Sequence, residues 1–239
     1  MPVVQLRPAT IEEDLSRDVS ALLSETYRYR QRDDPAIARL MWRAGKLQNA
    51  DAAAAMRLKT VLEVCRGDYD QAMYWVRNIE RLKRHDVHLA ALCTVLINFG
   101  YFAESQAHFA RLMDTTESGA MHLHLGVPNG AFKRYLDSLD ASRTLADIHL
   151  SNEAQIRDVV SIMDANGDSD EDLGRVMDIA GGILRERKLV YMGNAHQLRP
   201  VVEPVDGGHP YFGAYFGERD RRFRDRDRFG GMGVARCRL

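Results

Sequence analysis

The chain lacks any apolar run approaching the ~20 residues that a membrane-spanning helix requires. From Met1 to Glu13 it also lacks a basic segment leading into an apolar one, so neither a membrane span nor a secretory signal is expected. Cysteine is scarce: the three residues, Cys65, Cys93 and Cys237, are odd in number and widely spaced. That argues against a disulfide framework. Cys65 and Cys93 lie within apolar runs, where a reduced thiol behaves as a small hydrophobe, and a reducing cytoplasm is the expected setting. Missing too are a Gly-x-Ser-x-Gly elbow, a Walker A loop and a dinucleotide fingerprint. Ile179-Ala180-Gly181-Gly182-Ile183 comes nearest to a phosphate cradle. It sits inside a helical pattern with no strand before it, so the glycine pair reads as a place of close helix packing or a kink. No cofactor and no catalytic constellation are expected.

Charge is balanced overall, with 33 Lys and Arg against 34 Asp and Glu, but it is unevenly placed. From Arg219 to Leu239 there are eight Arg and three Asp, so this tail carries +5 and the rest of the chain −6. The body is mildly acidic and the end basic.

The dominant pattern is helical. Thr10-Ile11-Glu12-Glu13 has the form of a capping box, predicting a helix from about Ile11 to Tyr29 with Leu15, Val19, Leu22 and Leu23 on one stripe. Asp33-Asp34-Pro35 punctuates the chain, and Asp34 is placed to cap a second helix carrying Ile37, Leu40, Met41 and Ala44 inward. Further helices are predicted from the Ala52–Ala55 run to Gly67, then over 69–83, 87–99, 102–113, 131–139, 153–163 and 172–187. The turns between the central ones are very short, which makes neighbouring helices antiparallel. Lys188–Met192 and Pro200–Val205 are short, rich in β-branched residues and bounded by Gly and Pro, and predict a small strand pair.

An internal period is the most specific feature. Cys65-Arg66-Gly67-Asp68-Tyr69-Asp70-Gln71-Ala72 aligns with Asn98-Phe99-Gly100-Tyr101-Phe102-Ala103-Glu104-Ser105 at a shift of 33 residues. At the same shift Val76 matches Phe109 and Ile79 matches Leu112. The glycine permits a tight turn, the aromatic wedges into the helix crossing, and the small residue lets the second helix approach the first. These residues resemble the tetratricopeptide repeat, with Leu89, Leu92, Leu96, Gly100, Phe102 and Phe109 fitting its second copy. The first copy's leading helix, with Leu58, Leu62 and Cys65, runs about one residue out of register. A third copy begins at Leu125-Gly126 and is interrupted by Val127-Pro128-Asn129-Gly130. The resemblance implies a mainly α fold, a right-handed superhelix of antiparallel helical hairpins, here with a small C-terminal α+β extension. It also implies that the inner faces of the leading helices bind a peptide or partner protein, which in this chain falls on Arg57, Val61, Thr94 and Asn98.

Other constellations carry less. The run from Asp164 to Asp172 offers oxygen ligands at alternate positions, but an EF-hand register would put Ser169 at the glycine position and Arg175 where a bidentate glutamate is needed. It reads instead as an inter-helix turn whose acids favour a helix N-terminus. His122-Leu123-His124, even with His108 or His149, lacks a Cys or acidic partner at ligand spacing, and no metal site is expected. Trp42, Tyr74 and Trp75 are expected to pack between helices; one that proved exposed on a concave face would be the first hot-spot candidate. In the tail, Arg221, Arg222, Arg224, Arg226 and Arg228 are interleaved with Phe and Gly as in RNA-binding segments, though the aspartates dilute the charge.

The expected organisation is an N-terminal capping helix (1–34), a helical repeat region (35–140), a C-terminal helical part with a short β hairpin (141–217) and a disordered Arg/Asp-rich tail (218–239). The expected function is a non-enzymatic, cytoplasmic interaction module: an adaptor, a chaperone, or an assembly or regulatory factor. Two alternatives differ in class: an RNA-associated accessory protein that uses the tail, and an enzyme with a site between the helical and C-terminal parts.

Overall fold

A computed structural model describes residues 8–115, 122–143 and 153–191, together with three short backbone segments beyond them. Among these residues the chain is mainly α-helical. The helices are α1 (Pro8–Glu25), α2 (Pro35–Leu47), α3 (Ala52–Arg66), α4 (Tyr69–Arg81), α5 (His85–Asn98) and α6 (Phe102–Thr115). A 3-10 turn (Leu123–Leu125) leads into α7 (Gly126–Asn129), followed by α8 (Phe132–Arg143), α9 (Glu153–Asn166) and α10 (Asp170–Glu186). Consecutive helices pack as adjacent pairs, α1 with α2, α3 with α4 and α5 with α6, and α3 also packs against α1 and α5. Three short strands, β1 (His196–Arg199), β2 (Phe212–Phe216) and β3 (Ala235–Cys237), pair antiparallel in that order.

Local chemistry explains the helix starts. Asp34 accepts from the backbone N–H groups of Ala36 (2.8 Å) and Ile37 (3.3 Å), as its place before Pro35 predicts. Asp51 accepts from Ala54 N–H at 2.9 Å and Asp68 from Gln71 N–H at 3.1 Å. Ser169 and Asp172 form a reciprocal capping box at the start of α10. The capping box predicted at Thr10 is not the start of α1, because the helix already runs from Pro8 through Thr10. Proline serves as an opening helical residue since its missing N–H would go unpaired there in any case.

The helix ends repeat one device. At Gly67, Gly100, Gly130 and Gly167 the backbone turns left-handed, with φ between 70° and 76°. At each, the glycine N–H donates three residues back and the next N–H five residues back, as in Gly100 to Ile97 (3.0 Å) and Tyr101 to Leu96 (2.9 Å). These two hydrogen bonds satisfy carbonyls that the helix end would otherwise leave bare.

Helices α6 and α8 follow such turns through Tyr101 and Ala131, neither of which can cap. Their caps come from α10. Asp178 Oδ1 accepts from Phe102 N–H (2.6 Å) and Ala103 N–H (3.2 Å). The two carboxylate oxygens of Asp170 accept from Lys133 and Arg134 N–H, each at 3.0 Å. One and two turns beyond Asp178, α10 grips the end of α5. Gly181 lies against Gly100, backbone to backbone. Arg185 donates to the carbonyls of Phe99 (3.0 Å) and Gly100 (2.7 Å) and lies over the Tyr101 ring at 4.4 Å. The glycine pair read from the sequence as a close packing site is therefore one, and Gly181 is its contact residue.

The two ends of the helical body meet. Tyr29 N–H donates to Lys188 carbonyl and Val190 N–H to Tyr27 carbonyl, both at 3.0 Å, and Leu189 bridges Arg28. Leu189 thus pairs with the α1–α2 linker; the predicted partner segment 200–205 lies outside the described residues. Tyr29 covers Gly67, so that a Cβ there would fall 2.1 Å from its ring. Burial pushes the Tyr29 hydroxyl up to about 12, opposed by the Arg185 charge. Tyr191 packs edge-on against Phe102, centroids 5.0 Å apart.

Candidate interaction surface

Of the inner-face positions implied by the repeat resemblance, Asn98 is buried and Arg57, Val61 and Thr94 are half-buried. Asn98 is 1 % exposed and its amide donates to Thr94 carbonyl at 2.8 Å. Thr94 is half-buried and donates its hydroxyl to Ala90 carbonyl. Val61 packs against the core of α1, α2 and α3. Arg57 meets Glu12 of α1 at 3.4 Å. Asn98 is thereby removed as a surface contact, for a physical reason. Helix α5 is apolar on nearly every side, with Leu89 to Cys93 and Val95 to Asn98 all buried. A helix of that kind must be enclosed by neighbours, and α5 is enclosed. On α3 the inner side is covered by α1.

The other candidates find local work. Asp164 pairs with Lys133 at 2.5 Å, Asp170 caps α8, and Asp172 holds the capping box and pairs with Arg175. The acidic run is thus distributed over helix ends, as an inter-helix turn should be. His122 and His124 lie with ring centroids 6.4 Å apart, and burial holds the His122 imidazole below its usual range, with the His124 charge acting in the same direction. Among the described residues, no group of three or more His, Cys, Asp or Glu could hold a metal ion. None of the described helices is long and apolar enough to cross a membrane. His149 and the tail arginines Arg221, Arg222, Arg224, Arg226 and Arg228 lie outside the described residues.

Trp75 and Trp42 have opposite fates. Trp75 sits beneath Lys59, whose ammonium lies 4.5 Å from the ring and donates to Gln48 Oε1 at 2.7 Å. Trp42 is 62 % exposed, against the expectation that it packs between helices. The reason lies in the periodicity of α2. Ile37, Leu40, Ala44 and Leu47 form the buried stripe, and Trp42 falls on the opposite side with Ala38, Arg39, Gly45 and Lys46, all exposed. Nothing lies within 4 Å of the position a Cβ on Gly45 would take, so the surface beside the indole is low and open.

Charge on this face has one sign. Helix α2 contains Arg39, Arg43 and Lys46 and no acidic residue. Arg43 is paired with Asp18 of α1. Lys46 lies over the Trp42 ring at 3.6 Å, and no carboxylate among the described residues pairs with Arg39 or Lys46. From the sequence Trp42 is a candidate only on a concave face, and its basic neighbours are not candidates. The signal was there: three cations and no acid within one helix of an acidic body. A concavity of about 370 Å³ is lined by Arg32, Arg66, Gly67, Asp68, Tyr69 and Asp70. Its cations face acids of equal number, and Arg66 is engaged by Glu63 at 3.4 Å.

Comparison with family models, curated proteins and solved structures finds no match for this chain.

Proposed function

We propose that the protein is a non-enzymatic interaction module, a tetratricopeptide-like stack of helical hairpins that holds a partner protein through a peptide-sized segment. The observation that carries this reading is Trp42. A tryptophan left 62 % exposed on a capped helix is one of the residue types that dominate binding energy at protein interfaces. It needs no conformational change to be used. In support of the tetratricopeptide likeness, the left-handed glycine turn recurs at Gly67, Gly100, Gly130 and Gly167, and α1 packs on α3 and α3 on α5. Under the same reading the strands beyond Tyr191 belong to a small α+β piece that closes the stack, since terminal repeats require a cover. Two buried free thiols agree with work in the cytoplasm as an adaptor, chaperone or assembly factor.

Affinity capture with the intact chain as bait tests the proposal. The expected result is one protein retained in constant proportion to the bait. Capture of nothing in proportion, from lysates of the source cells grown under several conditions, would refute it.

A further inference from the structure

We infer that the outer face of α2 docks a short acidic segment of a partner protein, with an apolar side chain laid on Trp42 between carboxylates that pair with Arg39 and Lys46. This rests on the interaction-module reading and specifies its site and the chemistry of its ligand.

The charge pattern selects the occupant. Arg39 stands one turn before Trp42 and Lys46 one turn after it, so the two cations bracket the indole along the helix axis. Neither is neutralised by a carboxylate among the described residues, whereas Arg43, on the flank nearest α1, is. A segment bearing acids one turn either side of an apolar residue would meet both cations and cover the ring. Ala38 and Gly45 keep the walls low, which lets the backbone of such a segment lie close.

The same pattern disfavours a nucleic acid. Beside α2 lies α1, with Glu12, Glu13, Asp14, Asp18 and Glu25. A polyanion longer than the face would run onto these carboxylates, whereas a segment two or three turns long would not. A second copy of the chain could offer the acids of α10 around Ile179, which is 67 % exposed. That face also carries Arg175, so its charge is mixed and complements α2 poorly.

The experiment pans a displayed library of random dodecapeptides against the full chain and, in parallel, against Trp42→Ala and against Arg39→Glu/Lys46→Glu. All three positions are exposed, and unchanged circular dichroism and melting confirm that the variants fold. The inference expects peptides that are retained by the intact chain, lost at least tenfold in affinity on Trp42→Ala, and enriched in Asp and Glu flanking a Leu, Ile or Phe. The charge-reversed variant should lose them too, and rising salt should weaken binding, because the ion pairs are exposed. Retained peptides that ignore Trp42, or that are basic or neutral, would overturn this inference while leaving the interaction-module reading in place. Retention of no peptide at all would overturn both. A Trp42-dependent affinity for single-stranded oligonucleotide, or Trp42-dependent self-association in sedimentation, would overturn the acidic-peptide assignment in favour of those partners.

Discussion

Replacing Gly181 with alanine tests the docking of α10 more sharply than any other single change. An added Cβ would stand 2.0 Å from the Gly100 carbonyl oxygen and 2.7 Å from its carbon, both backbone atoms that cannot rotate away. Relief requires α10 to lift from the α5–α6 turn. Lifting stretches the bonds from Phe102 and Ala103 N–H to Asp178 and those from Arg185 to Phe99 and Gly100. Overpacking alone costs about 1–3 kcal/mol, loss of a helix cap about 1 kcal/mol, and weakening of the charged Arg185 bonds about 1–2 kcal/mol. Alanine's better helix propensity returns about 1 kcal/mol. The expected net loss is about 2–5 kcal/mol. The next residue is the control. A Cβ on Gly182 meets only the tip of Arg185 at 3.8 Å, so Gly182→Ala keeps the propensity gain and should stabilise by up to about 1 kcal/mol. Urea unfolding followed by circular dichroism measures both. Adjacent glycines giving the same sign, or Gly181→Ala matching the unsubstituted chain, would refute the backbone contact.

The remaining predictions concern caps, protons and thiols. Asp170→Ala and Asp178→Ala should each lower stability by about 1 kcal/mol, and the Asn variants, which keep an acceptor oxygen, by less; alanine variants that unfold at the same urea concentration as the parent would contradict capping from α10. Burial holds the imidazoles of His88, His108 and His122 below their usual range, with Arg111 acting in the same direction on the first two and His124 and Arg57 on the third. The folded state therefore favours neutral imidazole: its contribution is complete above the unfolded value of about 6.5 and is lost as pH falls through the lowered folded values. The melting temperature should drop on acidification below about pH 6.5, less so in His108→Gln; a flat or rising profile over that interval contradicts the sign. At more acid pH Glu63 and Asp170, whose carboxyls burial pushes up, act in the opposite sense. Burial pushes the thiols of Cys65 and Cys93 up to about 11 and about 12, so iodoacetamide at mildly alkaline pH should spare both until urea is added; mass spectrometry that finds either labelled in the native chain would contradict their enclosure.

Features set by neighbours in the chain were readable. Gly67 and Gly100 were placed correctly because a left-handed turn between two apolar helices demands glycine at a fixed offset from the following aromatic. Asp34 was read as a cap because Pro35 follows it. The third copy is legible only as an interrupted one, since Pro128 looks like a break in its first helix. In the structure Pro128 lies within α7, a single turn where its missing N–H breaks no long ladder, and Gly130-Ala131-Phe132 repeats the Gly-x-aromatic turn. The caps of α6 and α8 were out of reach: Asp178 lies 76 residues from Phe102 and Asp170 37 from Lys133, and no local pattern announces a donor so distant. Nor did the sequence distinguish Trp42 from Trp75. Both sit in amphipathic helices, and only the phase of the buried stripe separates them.

The same geometry explains why the accessible surface differs from the one that the repeat resemblance implies. An open superhelix leaves the inner faces of its leading helices bare. Here α1 lies over α3, Tyr29 seals Gly67, and α10 seals Gly100 with a backbone contact and the guanidinium of Arg185. Each of these covers depends on residues far apart in sequence. Among the described residues, the most exposed large aromatic stands on an outer helix whose buried stripe and N-cap hold it independently of α10. A partner seated on Trp42 would therefore bind without opening the stack. Its affinity should be insensitive to Gly181→Ala so long as the chain stays folded, and that independence separates docking on the outer face of α2 from binding in a groove between repeats.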